Sequence, residues 1–242
     1  MKFDFLSESD QAYFIHKAST LVEALPYIRQ HSGEIIVIKY GGHAMGDPKL
    51  SKNFSKDIGL IKEVGIHPII VHGGGPQIGE RLKLKNIQSK FVEGLRVTDK
   101  EIIKVVEEVL SKDINKEIVD SINESGAKAV GLSGNQNNLI KADKLQVEIK
   151  DTDSNIEKLV DIGFVGQPLN VNIELIMSYV NNGEIPVIAP LGQDSQNNCY
   201  NINADTAAGF IAGQIKASKL LLLTDIAGIL DKNNKLISTL SL

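Results

Sequence analysis

Two clusters of glycine stand directly after apolar, β-branched stretches of the chain. Residues 41–42 follow the stretch at 34–38, and residues 73–75 follow the stretch at 66–71. Glycine lets a ligand approach the backbone N–H groups without a Cβ in the way. Where a helix begins next, those groups and the helix dipole bind anions. One cluster alone often serves only the geometry of a turn, but two clusters after two predicted strands favour an anion-binding crevice.

Neither cluster fits a common nucleotide motif. Gly41 and Gly46 have the spacing of a Walker loop, but Asp-Pro follows where that loop needs Lys and then Ser or Thr. The second cluster is a distant relative of the dinucleotide fingerprint. Glu93 lies at the distance of a ribose contact, yet no clean apolar strand places it there. An anion site of another kind is the better interpretation.

Two basic side chains stand close to these turns in the sequence. Lys39 either extends its stem along a strand end or holds a fixed positive charge for phosphate oxygens, as lysines do in phosphoryl transfer. The adjacent glycines favour the second interpretation. Arg96, just before a predicted helix, is either a surface residue or a guanidinium that grips a carboxylate. For Arg96 the residues alone leave both interpretations open.

Amides and carboxylates mark two further predicted junctions. Asn201, Asn203 and Asp205 open a predicted helix. There Asn203 suits the N-cap and Asp205 suits the first turn, although the same groups could orient a polar substrate and a lysine. Asp225, at the end of another apolar stretch, has the same ambiguity. The five histidines show no spacing typical of a metal site, so no residue is assigned to a metal.

Alternating strands and helices must position these groups. Apolar β-branched runs predict strands, and apolar repeats at i, i+3/i+4 predict helices. The strands are expected at 34–38, 66–71, 129–132, 186–190 and 219–224. The helices are expected at 12–25, 50–61, 76–84, 98–122, 172–180 and 205–215. We expect Pro26 to kink or end the first helix, a capping box from Thr98 to Glu101 to open the fourth, and antiparallel hairpins within 139–165.

This alternation predicts an α/β fold, in which a mostly parallel open sheet is sandwiched between helices. The 242 residues carry 26 Lys+Arg and 30 Asp+Glu, and a net charge of −4 gives no electrostatic reason to expect nucleic acid as a partner. No apolar run reaches the roughly 18 residues that a membrane span needs, and the acidic start does not suit a signal peptide. The single cysteine, Cys199, excludes an internal disulfide framework. A cytoplasmic protein is expected.

The motifs occur in the order of a known family. The segments are residues 38–45, 70–78, 94–98, 161–166, 201–208 and 222–230. Together they resemble the amino acid kinase family and, within it, the branch that phosphorylates N-acetyl-L-glutamate. The most specific part of the resemblance is Gly-Leu-Arg-Val-Thr at 94–98 together with Asn-Ile-Asn-Ala-Asp at 201–205.

The resemblance implies an activity and a set of site residues. The activity is transfer of the γ-phosphate of ATP, accompanied by Mg²⁺, to the side-chain carboxylate of N-acetyl-L-glutamate, which gives N-acetyl-L-glutamyl 5-phosphate in arginine biosynthesis. Catalytic roles are implied for Lys39 and Asp205. Contacts to acetylglutamate are implied for Gly74, Gly75, Arg96 and Asn201. Contacts to the nucleotide are implied for Gly41, Gly42, Asp225, Gly228 and Leu230.

The resemblance also implies an organisation in three parts. These are an N-terminal oligomerisation helix at 1–30, an acetylglutamate-binding lobe at 31–190 and the start of an ATP-binding lobe at 191–242. Members of the family extend past the position of Leu242 and carry a second charge-neutralising lysine there, so an incomplete C-terminal lobe is expected. Similar N-terminal helices in the arginine-inhibited members imply homodimers joined into a hexamer, with L-arginine as an allosteric feedback inhibitor.

Two alternatives remain open. Another branch of the family, acting on aspartate or carbamate, would share the glycine turns but would not need Arg96 and Asn201 in the roles given above. A truncated relative without catalytic activity would use the same residues for binding or regulation, and the absent lysine segment is the feature that favours it.

Overall fold

Helices and strands alternate through the residues that the computed structural model describes, which are 7–150, 157–224 and 228–240. The helices are α1 (Glu8–His31), α2 (Pro48–Glu63), α3 (Gly75–Leu84), α4 (Lys100–Glu108), α5 (Asn115–Glu124), α6 (Ile173–Asn181) and α7 (Ala204–Ile215), with a 3₁₀ turn at Gly42–Met45 and a π-helical turn at Val109–Ile114. The strands are β1 (Ile35–Tyr40), β2 (His67–His72), β3 (Phe91–Val92), β4 (Leu95–Arg96), β5 (Ala129–Ser133), β6 (Ile140–Lys144), β7 (Val147–Lys150), β8 (Glu157–Val160), β9 (Val165–Val171), β10 (Ile185–Ala189), β11 (Leu191–Gln193), β12 (Cys199–Ile202) and β13 (Lys219–Leu222).

A five-stranded parallel sheet is the centre of the fold. Its strand order is β13-β1-β2-β10-β5. Lys39 of β1 lies opposite Val71 of β2 and Leu222 of β13 in the register. Because all five strands run in the same direction, their carboxyl ends meet at one edge. At that edge the two glycine turns lie side by side, and the N–H of Gly73 donates to the Tyr40 carbonyl across 2.7 Å.

Apolar side chains on both faces of the sheet form the core. From β1, Ile36 and Ile38 pack on one side with Phe54 of α2. Val37 points to the other side and packs with Ile211 of α7. Burial of each such side chain contributes about 1.5–3 kcal/mol. The predicted α/β class, with a mostly parallel sheet between helices, is confirmed.

A small barrel stands beside the sheet. Strands β11, β12, β9 and β6 close on one another, and β6 pairs antiparallel with β9. Strands β7 and β8 form a separate antiparallel hairpin, so the predicted hairpins within 139–165 are present. The barrel itself was not foreseen. It matters for the site because β12 ends next to the beginning of α7.

A continuous helical rod spans residues 100–124 and consists of α4, the π-helical turn and α5. Its buried residues include a series at every fourth position, namely Ile102, Val106, Leu110, Ile114, Ile118 and Ile122. A straight α-helix turns by about 100° per residue, so each step of four rotates the buried stripe by about 40°. The π-helical turn fits an extra residue into the rod, which rotates the stripe back toward the core. The helix predicted at 98–122 is confirmed, with this added turn.

The start of α4 differs from the predicted capping box. The N-cap is Asp99, whose carboxylate accepts from the N–H groups of Glu101 and Ile102 across 2.9 Å. The hydroxyl of Thr98 instead donates to the Arg96 carbonyl across 2.8 Å. An acidic N-cap satisfies two helix N–H groups at once and leaves the threonine to support β4.

Helix α1 extends past Pro26 to His31, so this proline does not end the helix. None of its residues is buried. A proline removes one helix hydrogen bond, and on an exposed helix water can donate to the carbonyl that loses its partner. Within the described ranges, the helices lack the combination of length and apolar character that crossing a lipid bilayer requires.

Candidate active site

A cavity of about 240 Å³ opens at the carboxyl edge of the sheet. Its walls come from both glycine turns, from the hairpin of β3 and β4, and from the junction between β12 and α7. Eight of the eleven residues implied by the resemblance line it, namely Lys39, Gly41, Gly42, Gly74, Gly75, Arg96, Asn201 and Asp205. The fold therefore brings together groups that are far apart in the sequence.

Lys39 and Asp205 form an ion pair inside this cavity. The distance from Lys39 Nζ to Asp205 Oδ1 is 3.2 Å, and the lysine side chain is 13% exposed whereas that of the aspartate is 51% exposed. A Cβ on Gly41 would lie 3.1 Å from Lys39 Cε and 3.2 Å from its Nζ. Glycine at position 41 thus leaves room for the ammonium group. The arrangement presents one oriented positive charge to the cavity.

The turn at residues 73–75 supplies backbone N–H groups. Gly74 is the N-cap of α3 and Gly75 is its first residue, so the positive end of the helix dipole faces the cavity. A Cβ on Gly74 would lie 2.5 Å from Leu110 Cδ2, whereas a Cβ on Gly75 would meet no atom within 4 Å. Close packing against Leu110 explains why position 74 is a glycine. Packing does not explain the second glycine, which is exposed and lines the cavity.

Arg96 is buried, with 8% of its surface exposed. Its Nη2 donates to the Gly75 carbonyl across 3.1 Å, and its Nη1 donates to the hydroxyl of Ser89. The guanidinium carbon lies 4.7 Å from the centre of the Phe91 ring. Burial lowers the pKa of Arg96, but a guanidinium stays protonated in proteins. These contacts fix a planar cation that has further donors for a carboxylate.

The short hairpin that carries Arg96 turns at Glu93 and Gly94, which have φ angles of 48° and 76°. Positive φ at both central residues matches the twist of a tight antiparallel hairpin. Strand β3 pairs Phe91 with Arg96 across this turn. Phe91 is 59% exposed and lines the cavity. An aromatic ring therefore covers the arginine from the solvent side.

The junction of β12 and α7 contributes an amide and a carboxylate. Asn203 is the N-cap of α7 and accepts from the N–H of Thr206 across 3.0 Å, which confirms the predicted cap. Asn201 lies in β12, and Asp205 lies in the first turn of α7. Both line the cavity. Asn203 therefore caps the helix, while Asp205 is both a first-turn acid of α7 and a residue of the cavity.

Of the implied nucleotide residues, Gly228 and Leu230 do not line the cavity. Asp225 lies outside the described residues. Gly228 and Leu230 are described, but Leu230 forms a β-bridge with Leu236, and a Cβ on Gly228 would lie 2.8 Å from Leu236 Cδ1. The cavity thus contains the implied acceptor and catalytic groups, together with the two glycines at 41–42.

Sequence reasoning missed two buried polar residues beneath the glycine turn. His72 ends β2 and is 0% exposed, and Asn115 begins α5 and is 5% exposed. Burial lowers the pKa of His72 to about 4, so its ring is neutral at physiological pH. The fourfold repeat of apolar residues in 102–122 is the signal that could have revealed an irregular rod, in which Asn115 is buried next to Ile114.

Acidic and sulfur ligands do not gather around a metal in the described part of the chain, since no three His, Cys, Asp or Glu side chains there come close enough together to hold an ion. Cys199 is a free thiol whose pKa is raised to about 12 by burial and by the nearby Glu107 carboxylate. It therefore stays protonated and unreactive. The chemistry available in the cavity is charge neutralisation and positioning.

Known proteins resemble this chain along most of its length. The family model described as the amino acid kinase family matches residues 34–242. The acetylglutamate kinases of Rhodospirillum centenum and Rhodospirillum rubrum are 54% and 53% identical over 228 residues, which is 94% of this chain and 75% and 74% of the relatives. The crystal structure of smu.665 from Streptococcus mutans UA159 is 31% identical, has a TM-score of 0.70, and matches over 82% of this chain and 75% of that one. The chain belongs to the amino acid kinase family.

Proposed function

We propose that the protein transfers the γ-phosphate of ATP to the side-chain carboxylate of N-acetyl-L-glutamate and forms N-acetyl-L-glutamyl 5-phosphate, a step of arginine biosynthesis. The observation that carries this proposal is the single cavity in which the Lys39–Asp205 pair, two glycine turns and a buried arginine meet. The curated acetylglutamate kinases at about half identity over most of the chain support the same activity.

The reaction needs little acid–base chemistry. The acceptor carboxylate is ionised at neutral pH and is itself the nucleophile. It attacks the γ-phosphorus in line, the bond from that phosphorus to the bridging oxygen breaks, and ADP leaves with its electrons. Catalysis then depends on positioning and on neutralising the charge that spreads over the transferring group.

The catalytic roles follow from the ion pair. We assign to Lys39 the neutralisation of charge on the transferring phosphoryl group, and to Asp205 the orientation of that ammonium across 3.2 Å. Gly41 and Gly42 approach the phosphates of ATP. A half-exposed aspartate holds the lysine in place while leaving its remaining donors free to turn toward phosphate oxygens.

The acceptor side of the cavity follows from the other groups. Gly74 and Gly75 direct N–H groups at the reacting carboxylate. Arg96 and Asn201 hold the α-carboxylate and the acetamido group of N-acetyl-L-glutamate. A buried guanidinium with a backbone partner is pre-organised, so little entropy is lost when it binds a carboxylate.

The nucleotide brings Mg²⁺ with it. Mg²⁺ in phosphoryl-transfer sites is commonly held by phosphate oxygens of the nucleotide, by water and by one or two carboxylates. We further assign Asp225, Gly228 and Leu230 to the nucleotide pocket, residues 31–190 to the acetylglutamate lobe and residues 191–242 to the start of the ATP lobe. A cytoplasmic location is part of the same proposal, since ATP is consumed.

We also propose that α1 joins homodimers into a hexamer and that L-arginine inhibits the enzyme by binding beside this helix. The support is that residues 8–31 carry exposed large apolar side chains, including Phe14, Ile15 and Leu21 at 53%, 70% and 69% exposure. A stripe of this size on an isolated helix is unfavourable in water unless another chain covers it.

The test of the activity is a coupled ADP-release assay on the full chain with four acceptors. N-acetyl-L-glutamate should be phosphorylated, and L-glutamate, L-aspartate and carbamate should not, because only the first offers an acetamido group to the cavity. Turnover with aspartate or carbamate alone would favour another branch of the family. ATP binding without turnover of any acceptor would favour a non-catalytic relative.

Arg96→Ala sharpens this test. We expect the KM for N-acetyl-L-glutamate to rise about 10- to 100-fold, because a charge-assisted contact to a carboxylate is lost, while the KM for ATP changes little. The matched control is Arg81→Ala, which removes an arginine of α3 that is paired with Asp113 across 2.8 Å outside the cavity. An increase in the KM for ATP alone would place Arg96 on the nucleotide side.

A further inference from the structure

A buried hydrogen-bond relay connects the helical rod to the glycine turn. The side-chain amide of Asn115 donates to Nε2 of His72 across 3.2 Å and to the Val187 carbonyl across 2.9 Å. Nδ1 of His72 donates to the Gly73 carbonyl across 2.9 Å. Because a carbonyl oxygen can only accept, the proton of the neutral ring lies on Nδ1, and Nε2 is left to accept from Asn115.

The same rod supports the turn through apolar contacts. A Cβ on Gly74 would lie 2.5 Å from Leu110 Cδ2 and 2.6 Å from Ile114 Cδ1. Both of these side chains belong to the π-helical turn. The glycine turn therefore packs directly against the helical rod, while the hydrogen-bond relay holds the Gly73 carbonyl.

The π-helical turn also sets the direction of Asn115, which is the first residue of α5. One residue fewer in the rod would rotate that side chain by about 100°, away from His72. Space for the amide is kept by Gly131 of β5, where a Cβ would lie 2.1 Å from Asn115 Oδ1. An irregular helix and a strand glycine thus both accommodate one polar side chain.

The stability of the core does not require the buried side chains of His72 and Asn115. Buried amide and imidazole groups lose hydration, and well-packed apolar residues of the same volume fill such space at no such cost. The relay is satisfied along its length, so it restricts the Gly73 peptide to one orientation. A turn that presents N–H groups to a reacting oxyanion requires such a fixed orientation.

We propose that Asn115 and His72 are positioning residues for phosphoryl transfer, which orient the N–H groups of Gly74 and Gly75 by holding the Gly73 carbonyl. This inference rests on the proposed function. Donors that are already oriented stabilise the transition state more than the bound substrate. Loss of the relay therefore lowers kcat and leaves the KM values of both substrates nearly unchanged.

Steady-state kinetics on the full chain test the inference with a graded set of variants. Asn115→Leu and His72→Leu remove the relay at similar volume, and we expect kcat per folded molecule to fall about 10- to 100-fold. His72→Asn keeps a donor near the position of Nδ1 and should recover part of that loss. The matched control is Asn123→Ala, which removes an amide of the same helix that accepts from the Ala129 N–H across 2.7 Å and should leave kcat unchanged.

An unchanged kcat in folded Asn115→Leu, or an equal loss in the Asn123→Ala control, would overturn the inference. Nitrogen-15 NMR of the wild-type protein gives a readout that does not depend on activity or on variant stability. The His72 ring should carry its proton on Nδ1, and a proton on Nε2 would refute the relay. Amide exchange at Gly74 and Gly75 should quicken in Asn115→Leu, even if the wild type proves inactive on N-acetyl-L-glutamate and the proposed function fails.

Discussion

The ammonium group of Lys39 owes its position to two other residues. Gly41 leaves the space that the group occupies, and Asp205 holds it from α7. The strand-end lysine and the neighbouring glycines could be recognised in the sequence, because both are local features. The partnership with Asp205 could not be derived from spacing, since it arises only when α7 packs against the sheet.

For Lys39→Ala we expect kcat to fall by a factor of several hundred, equivalent to about 3–4 kcal/mol of transition-state stabilisation, with the fold retained. Lys39→Arg should restore the rate only in part, because a planar fork replaces a compact ammonium. Lys128→Ala is the matched control, since it breaks a pair with Glu184 across 3.1 Å away from the cavity. Single-turnover phosphoryl transfer measures the effect, and a wild-type rate in Lys39→Ala would exclude the assigned role.

Alanine substitutions at the adjacent glycines Gly74 and Gly75 should affect different properties, stability in the first case and turnover in the second. Gly74→Ala places a Cβ 2.5 Å from Leu110 Cδ2, so the protein should lose about 1–3 kcal/mol of unfolding free energy through overpacking. Gly75→Ala meets no protein atom within 4 Å, so stability should be unchanged while acetylglutamate turnover falls. Thermal unfolding and kinetics on both variants separate the cases. Equal melting temperatures would count against the packing explanation of Gly74.

Strands and helices were predictable to the extent that one apolar pattern determined each of them. The strands β1, β2 and β10 are buried on both faces and read as continuous apolar runs. The barrel was not predictable, because β11 has only three residues and one of its partners, β6, lies far earlier in the sequence. The π-helical turn was missed for a different reason. A straight α-helix has 3.6 residues per turn, and the fourfold repeat in 102–122 departs from that period.

Removal of α1 tests whether this helix serves assembly. A chain that starts at Ser32 lacks α1, in which no residue is buried, so unfolding free energy and turnover should stay close to those of the full chain. The molecular mass in light scattering should fall from that of a hexamer to that of a dimer, because the exposed apolar stripe is gone. An unchanged hexamer after the deletion would mean that other surfaces join the dimers.

At the scale of the whole molecule, the buried His72 ring makes the unfolding free energy depend on pH. Burial lowers the pKa of His72 from 6.5 to about 4, so the unfolded chain binds this proton at a higher pH than the folded chain does. The stability that the neutral ring contributes is complete above pH 6.5 and is lost as the pH falls toward 4. Carboxyl groups with lowered pKa values, such as that of Asp161 beside Lys144, titrate mainly below this range.

Between pH 7 and pH 5 the His72 ring alone should remove about 2 kcal/mol of unfolding free energy. Urea unfolding of the wild type and of His72→Asn at both pH values measures this contribution. The wild type should lose about 2 kcal/mol more than the variant over that interval. An equal loss in the two proteins would show that the ring is not held neutral by the fold.

The position of β1 between β2 and β13 has a consequence for synthesis on the ribosome. Strand β2 emerges soon after β1, but β13 comes from the far end of the described chain. Until β13 emerges, one edge of an apolar strand therefore lacks its hydrogen-bonding partner, and such an edge can pair with other nascent chains. Lys39 likewise waits for Asp205, which comes much later in the sequence. Chaperones are needed most during that interval, and catalytic competence cannot arise before α7 has packed against the sheet.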